Sequence, residues 1–320
     1  MSIGLMIIGL GNHTKTKIIP TLEQLSIPIA AILSSTKIEY YNEVKVFNEL
    51  EIVLKKNNIT HCIISTTPSK QIIYIKKLKF LNIKTYVEKP AFVTNNDLYS
   101  VENLISKKKY LTEGLMYRFS SGFDYFLKKF NKVNKTDYEI TLKFILPVPE
   151  DSFLRTFRNK KDLKNSIIYD IGTYIFDFLW VLQLTNLKVE ELTIEKFNNK
   201  ILKKTKFSIY SQNHNSFKKI NVEIGYGNIY KNEINFVSED QNYNINPFFW
   251  GRHGNINIIN FKEKPSNKVQ IVTKSALKII LYKWFNGIED KMIDDLQCFK
   301  RYNFVISELE KLERKIFNYV

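Results

Sequence analysis

The chain has 320 residues, 44% of them hydrophobic and 25% charged, with a formal net charge of +16. That length accommodates two domains with real cores, and the composition is that of an ordinary soluble globular protein rather than a disordered, fibrous or disulfide-stapled one. No apolar run reaches the roughly 18 residues of a membrane span. Two cysteines, Cys62 and Cys298, provide neither a disulfide framework nor a cysteine metal site.

The lysines are scattered rather than striped, which argues for a solvated basic surface and against nucleic acid or a membrane as partner. Residues 1–8 lack the basic flank and small-residue cleavage site of a signal peptide, so a cytoplasmic location is expected. His13, His61, His214 and His253 show no metal-ligand spacing, and no metal is expected.

In chain order, a strand over 3–8 is followed by a helix over 13–25 and a strand over 29–33, with Pro28 at its start. A strand over 44–47, a helix over 50–56, a strand over 61–65, a helix over 70–81 and a strand over 84–87 come next. A helix over 95–107 and a strand over 110–119 close this half. Continuous apolar strands, each followed by a helix, are the pattern of a doubly wound parallel sheet covered on both faces. The second half alternates with period two, over 138–146, 189–196, 206–210, 221–226, 233–237 and 256–261. Helices are expected over 122–130, 167–182 and twice beyond residue 274. The expected architecture is therefore α/β: a dinucleotide-binding Rossmann domain over 1–119, then an α/β domain with a predominantly antiparallel open sheet over 120–320.

Gly9-Leu10-Gly11-Asn12-His13-Thr14 follows a strand and opens a helix. There, glycines let the backbone approach a pyrophosphate, and the helix amino terminus supplies N–H donors; Thr14 replaces the third glycine. No acid stands about 20 residues on to bind ribose hydroxyls. The second strand ends instead in Ser34-Ser35-Thr36-Lys37, hydroxyls and a cation suited to a 2′-phosphate, which favours NADP over NAD. An ordinary Ser/Thr turn would leave that preference open. Ser65-Thr66-Thr67-Pro68 lies past another strand, where it can contact a cofactor or simply turn the chain.

Glu88-Lys89-Pro90 delivers a lysine to the rim of the sheet, where open α/β folds bind ligands. Asp170, Tyr174 and Asp177 share one stripe of an otherwise apolar helix. Such groups are costly unless satisfied or used; a helix cap plus a hydrogen-bonded tyrosine is the structural alternative.

With these motifs in this order, together with Glu113-Gly114-Leu115-Met116-Tyr117-Arg118-Phe119, residues 3–184 resemble the Gfo/Idh/MocA oxidoreductases. The Met-Tyr-Arg-Phe run and Tyr174 look like the subgroup of glucose-fructose oxidoreductase, dihydrodiol dehydrogenase and sugar ketoreductases, where tyrosine replaces the histidine of other members. The resemblance implies NAD(P)-dependent chemistry on sugars or related compounds, with the second domain's sheet serving in homo-oligomer assembly. It places Lys89 between nicotinamide and substrate and makes Asp170 the first acid of the Asp-x-Gly-x-His/Tyr motif. Two departures stand out: Gln71 replaces a family histidine, and a Gly-rich stretch reads Asp162-Leu163-Lys164-Asn165-Ser166.

The expected reaction is hydride transfer at a carbonyl or carbinol carbon of a sugar-like, possibly nucleotide-linked substrate, in a biosynthetic reduction. Tyr174 would move the proton, Lys89 would stabilise the tyrosinate and the developing oxyanion, and Asp170 would orient the substrate hydroxyl or the ammonium. Cofactor contacts are expected from Gly9, Gly11, Asn12, His13, Thr14, Ser34, Ser35, Thr36, Lys37, Thr66, Thr67, Pro68, Gln71, Glu88 and Lys89. Substrate contacts are expected from Lys89, Arg118, Asp170 and Tyr174. Alternatives on the same fold are a non-catalytic nucleotide or sugar sensor and an imine reductase.

Overall fold

The computed structural model describes residues 4–78, 80–106, 110–131, 137–147, 166–197, 201–213, 216–249, 253–262 and 267–318. Residues 162–165 of the departing stretch lie outside them. Contacts between Cα atoms divide the chain into two compact units, Met1–Leu115 with Leu277–Asn303, and Met116–Ala276 with Phe304–Val320. The division differs from a single cut at 119/120: it falls at 115/116, and residues 277–303 cluster with the first unit. Among the described residues, no helix is long and apolar enough to cross a membrane.

The first unit is built on seven strands: β1 (Leu5–Ile8), β2 (Ile29–Leu33), β3 (Tyr40–Tyr41), β4 (Val44–Phe47), β5 (His61–Ile64), β6 (Lys84–Val87) and β7 (Leu111–Glu113). Their order is β3-β4-β2-β1-β5-β6-β7, parallel throughout except for β3 against β4. Strands β1 and β5 are buried at every position, as apolar runs between two layers must be. The chain winds outward from β1 through β2 and β4, then returns to β5 on the other side, so the strand order reverses between β1 and β5.

The expected first helix opens as a π-turn, Thr14–Ile18, in which the Ile19 N–H reaches the Thr14 carbonyl, before α1 (Ile19–Gln24). Pro20 has no N–H to give and crowds the preceding turn, which disfavours a regular α-helix there. Helices α2 (Leu50–Lys56) and α3 (Pro68–Leu78) follow; α3 starts on a proline, whose missing N–H costs nothing at that position. The helix expected over 95–107 is two short ones, α4 (Asn95–Tyr99) and α5 (Glu102–Ser106). The strand expected over 110–119 stops at Glu113: a Cβ on Gly114 would lie 2.4 Å from the Tyr86 hydroxyl, and a 3-10 turn takes over at Met116–Phe119.

The second unit contributes α6 (Ser121–Phe130), β8 (Tyr138–Pro147), α7 (Ile167–Val181), β9 (Lys188–Phe197), β10 (Ile201–Asn213), β11 (Ser216–Gly227), β12 (Lys231–Ser238), β13 (Asn242–Asn246), β14 (Gly254–Asn260) and β15 (Asn267–Thr273). The sheet order is β15-β14-β13-β12-β8-β11-β10-β9, antiparallel except for β8 beside β11. Alternation in β8 sends Ile140, Leu142 and Phe144 inward. Helices α8 (Ala276–Asn286), α9 (Lys291–Leu296) and α10 (Phe299–Asn318) complete the chain, three where two were expected. The second part of α10 packs on α7: Gly172 faces Leu309, and the Tyr169 hydroxyl donates to Glu313 at 2.6 Å.

Candidate active site

In the first unit the register aligns the strand ends, pairing Ile8 with Leu33, Ile8 with Ile64, Ile64 with Val87, and Val87 with Glu113. The residues that follow, Ser34, Gly9, Ser65, Glu88 and Gly114, therefore lie along one edge of the sheet. Gly9 has φ +100°, and a Cβ there would stand 2.2 Å from the Ser65 carbonyl oxygen. Glycine is thus required at Gly9 by both backbone conformation and close approach. At Gly11 a Cβ would meet nothing within 4 Å, so its backbone faces open space. Thr14 is buried, and its hydroxyl donates to Ser65 Oγ at 3.0 Å, which ties the two turns together in place of the missing third glycine.

At the end of β2 the Ser34 and Thr36 hydroxyls share a hydrogen bond of 2.5 Å, and the Thr36 N–H donates to Ser34 Oγ at 3.2 Å. Ser35, Thr36 and Lys37 are exposed. Beyond β5, Gln71 is buried; its Nε2 donates to the Thr66 carbonyl at 3.3 Å, while its Oε1 is enclosed without a hydrogen-bond partner among the described residues. An acceptor left open beside the Thr66-Thr67-Pro68 turn, a glycine-required cradle and an exposed hydroxyl and lysine turn are together a donor and acceptor set that fits a dinucleotide. Asn12 is exposed, with its carbonyl accepting from Thr16 Oγ1 at 2.8 Å.

Glu88 lies on the same edge, its N–H donating to the Ile64 carbonyl at 2.9 Å and its carboxylate 3.3 Å from His13 Nε2. The charge of Glu88 raises the His13 pKa above its ordinary value, against the opposing effects of burial and of Lys89 and Lys17. Lys89 follows, half-buried, and the Lys89–Pro90 peptide bond is cis.

In the second unit, Ser166 caps α7, its hydroxyl accepting from the Ile168 N–H at 3.2 Å. One turn on, Asp170 Oδ2 accepts from the Tyr226 hydroxyl at 3.3 Å. Tyr174 is 7% exposed and sits among the rings of Tyr117, Phe144 and Phe249, with centroids 5.6–5.7 Å away. The backbone of that aromatic wall is held by Asn232, whose Oδ1 accepts from the Phe248 and Phe249 N–H groups and whose Nδ2 donates to the Phe249 carbonyl.

Arg118 requires a correction. Its Nε and Nη2 donate to Asp177 at 2.8 and 2.6 Å, the Tyr117 hydroxyl adds a third bond at 2.7 Å, and neither charged side chain has any exposed surface. A guanidinium enclosed in this way is a structural ion pair, not a group presented to a substrate. Asp177, the third polar residue of the stripe, is its counter-ion. Tyr226 and Asn232 escaped sequence reasoning, although Asn232 carries a signal: an amide at an inward position of a strand whose next inward residues are Ile234 and Phe236.

No family model and no curated protein matches the sequence. Solved structures match over nearly the whole chain. A variant of KijD10, a 3-ketoreductase from Actinomadura kijaniata in complex with TDP-benzene and NADP, has 10% identity, 97% of each chain covered and a TM-score of 0.79. An aldose-aldose oxidoreductase from Caulobacter crescentus complexed with glycerol has 14% identity, 98% of each chain covered and a TM-score of 0.77. The protein yvaA from Bacillus subtilis has 14% identity, 98% of this chain and 97% of its own covered, and a TM-score of 0.72. At such identities the shared property is the fold: a mostly parallel Rossmann-like sheet and a mostly antiparallel second sheet, each with its helices.

Proposed function

We propose that the protein is an NAD(P)-dependent oxidoreductase that transfers hydride to or from a carbonyl or carbinol carbon of a sugar-like substrate, with NADP(H) preferred and reduction as the working direction. The observation that carries this reading is the edge of the parallel sheet, where the Gly9–Thr14 cradle, the Ser34–Lys37 turn, the Thr66–Gln71 segment and Glu88-Lys89 follow strands in matched register. Gly9 to Thr14 would hold the pyrophosphate, Ser34 to Lys37 the 2′-phosphate, and Thr66, Thr67, Pro68, Gln71 and Glu88 the nicotinamide half. When bound, the cofactor supplies or accepts the hydride. Lys89 stabilises negative charge developing on the substrate oxygen. Tyr174 passes a proton to or from that oxygen, and Asp170 orients a substrate hydroxyl.

The NADP and TDP-benzene held by the KijD10 variant support a nucleotide-linked sugar as substrate, in a biosynthetic setting. Self-association through the eight-stranded sheet belongs to the same reading and is checked by sedimentation of the purified protein. The deciding experiment is a fluorescence titration with NADPH and NADH, followed by thermal melts with nucleotide sugars and turnover with their keto forms. A ligand at a hundred times its Kd adds about 2.7 kcal/mol to the native state. Tight NADPH binding, a raised melting temperature with a nucleotide sugar and NADPH oxidation with a ketosugar are expected. Binding of neither nicotinamide cofactor would dismiss the reading; binding without turnover would turn it into the sensor.

A further inference from the structure

We propose that Glu113 and Arg301 form a positioning pair that fixes Lys89 for the reaction, an inference that rests on the oxidoreductase reading above. Lys89 stands between two anchored neighbours. On its amino side Glu88 is held by its N–H on the Ile64 carbonyl, 2.9 Å, and by its carboxylate beside His13. On its carboxyl side Pro90 has no N–H, so the first amide able to hold the chain is that of Ala91. It donates to Glu113 Oε1 at 2.7 Å in the interior.

Glu113 ends β7, and its other carboxylate oxygen receives the Arg301 guanidinium from α10. The two side chains are 4% and 0% exposed. Arg301 in turn lies over the Tyr302 ring, 5.0 Å from its centroid, and the Tyr302 hydroxyl donates to the Leu111 carbonyl at 3.4 Å. The acceptor that holds Ala91 is thus locked between a strand and a helix.

A buried ion pair is a poor device for stability alone, because apolar residues of the same volume often do as well or better. What an apolar pair cannot do is accept the Ala91 N–H, and a charged acceptor makes the shorter and stronger bond. With both flanks held, the Lys89 main chain has little room to shift. A misplacement of about 1 Å at a reacting group costs about 100-fold in rate.

The test compares the double variant Glu113→Leu/Arg301→Met, which keeps the volume and removes the acceptor, with Glu113→Gln, which keeps an acceptor for Ala91. Three quantities are read: NADPH affinity, the rate of Lys89 acetylation by acetic anhydride relative to exposed Lys70, followed by mass spectrometry, and steady-state kinetics. The double variant should bind NADPH as the parent does, label Lys89 about tenfold faster relative to Lys70 as its segment opens locally, and lose about 100-fold in kcat with KM little changed. Glu113→Gln leaves Arg301 buried without its carboxylate and should therefore melt lower, but below that transition it should stay near the parent in both labelling and kcat, because Ala91 keeps its acceptor.

An unchanged Lys89 labelling ratio in the double variant overturns the proposal. So does a Glu113→Gln protein as impaired as the double variant, which also decides the matter if the double variant fails to fold. If the parent protein binds no nicotinamide cofactor, the oxidoreductase reading fails by itself, while the labelling ratio still reports whether the pair positions Lys89.

Discussion

Replacing Asp177 with asparagine tests whether Arg118 is structural or a substrate ligand. The substitution keeps the shape of the side chain but leaves the Arg118 guanidinium buried at 0% exposure without its carboxylate. Removing one partner of a buried ion pair costs about 3–5 kcal/mol, and the hydrogen bond from Tyr117 to a charged acceptor is worth about 1.5–3 kcal/mol by itself. The contributions share one carboxylate and do not add, so a loss of about 4 kcal/mol is expected. For a unit of this size that lowers the melting temperature by about 8–16 °C, read by far-UV circular dichroism and by urea unfolding. Arg118→Met, which leaves Asp177 charged and buried, should cost as much. The double variant Arg118→Met/Asp177→Leu should recover part of the loss, because no uncompensated charge remains although the Tyr117 hydroxyl loses its acceptor. If Arg118 is structural, this double variant also keeps the parent's substrate affinity. A single-variant cost under about 1 kcal/mol, the range of an exposed pair, would refute the reasoning, as would a double variant no better than the singles.

Three further outcomes follow from the same structure. Gly11→Ala meets nothing within 4 Å, so its melting temperature should match the parent while NADPH affinity falls, because the new methyl occupies the backbone's open face; equal affinity in the titration would remove Gly11 from the cofactor site. Lys89→Met should leave NADPH binding intact and lower turnover by about 100-fold or more, and near-parental turnover would strip Lys89 of its role. His13 is raised above 6.5 by Glu88, so the stability contributed by the pair is fully present below pH 6.5 and is lost as pH rises through the raised value. Melts of the parent and His13→Gln proteins from acid to alkaline pH should differ most at the acid end; a difference independent of pH contradicts the pairing.

What was legible in the chain was what local chemistry dictates. Val44–Phe47 and Lys84–Val87 match their expected bounds because β-branched and aromatic residues cluster there, and Leu50–Lys56 because an amphipathic stretch between such strands is a helix. Asn242–Asn246 was missed because asparagine is a poor strand former, although it pairs on both sides; Asn267–Thr273 was missed because an exposed edge strand has no apolar face to betray it. The turns that follow β1, β2, β5 and β6 were equally readable, since parallel strands deliver their loops to one edge.

The anchors were not readable, and for a physical reason. Glu113 meets Arg301 across 188 positions of sequence, and Arg118 meets Asp177 across 59. A charged residue in a motif looks the same whether it faces a ligand or a buried counter-ion. The informative sign was on the other partner: Asp177 lies on a helix otherwise buried through apolar side chains, and a carboxylate in that setting demands a cation. Arginine is the cation suited to satisfying both its oxygens at once, through a planar fork. That condition, applied to the sequence, would have assigned Arg118 to the interior.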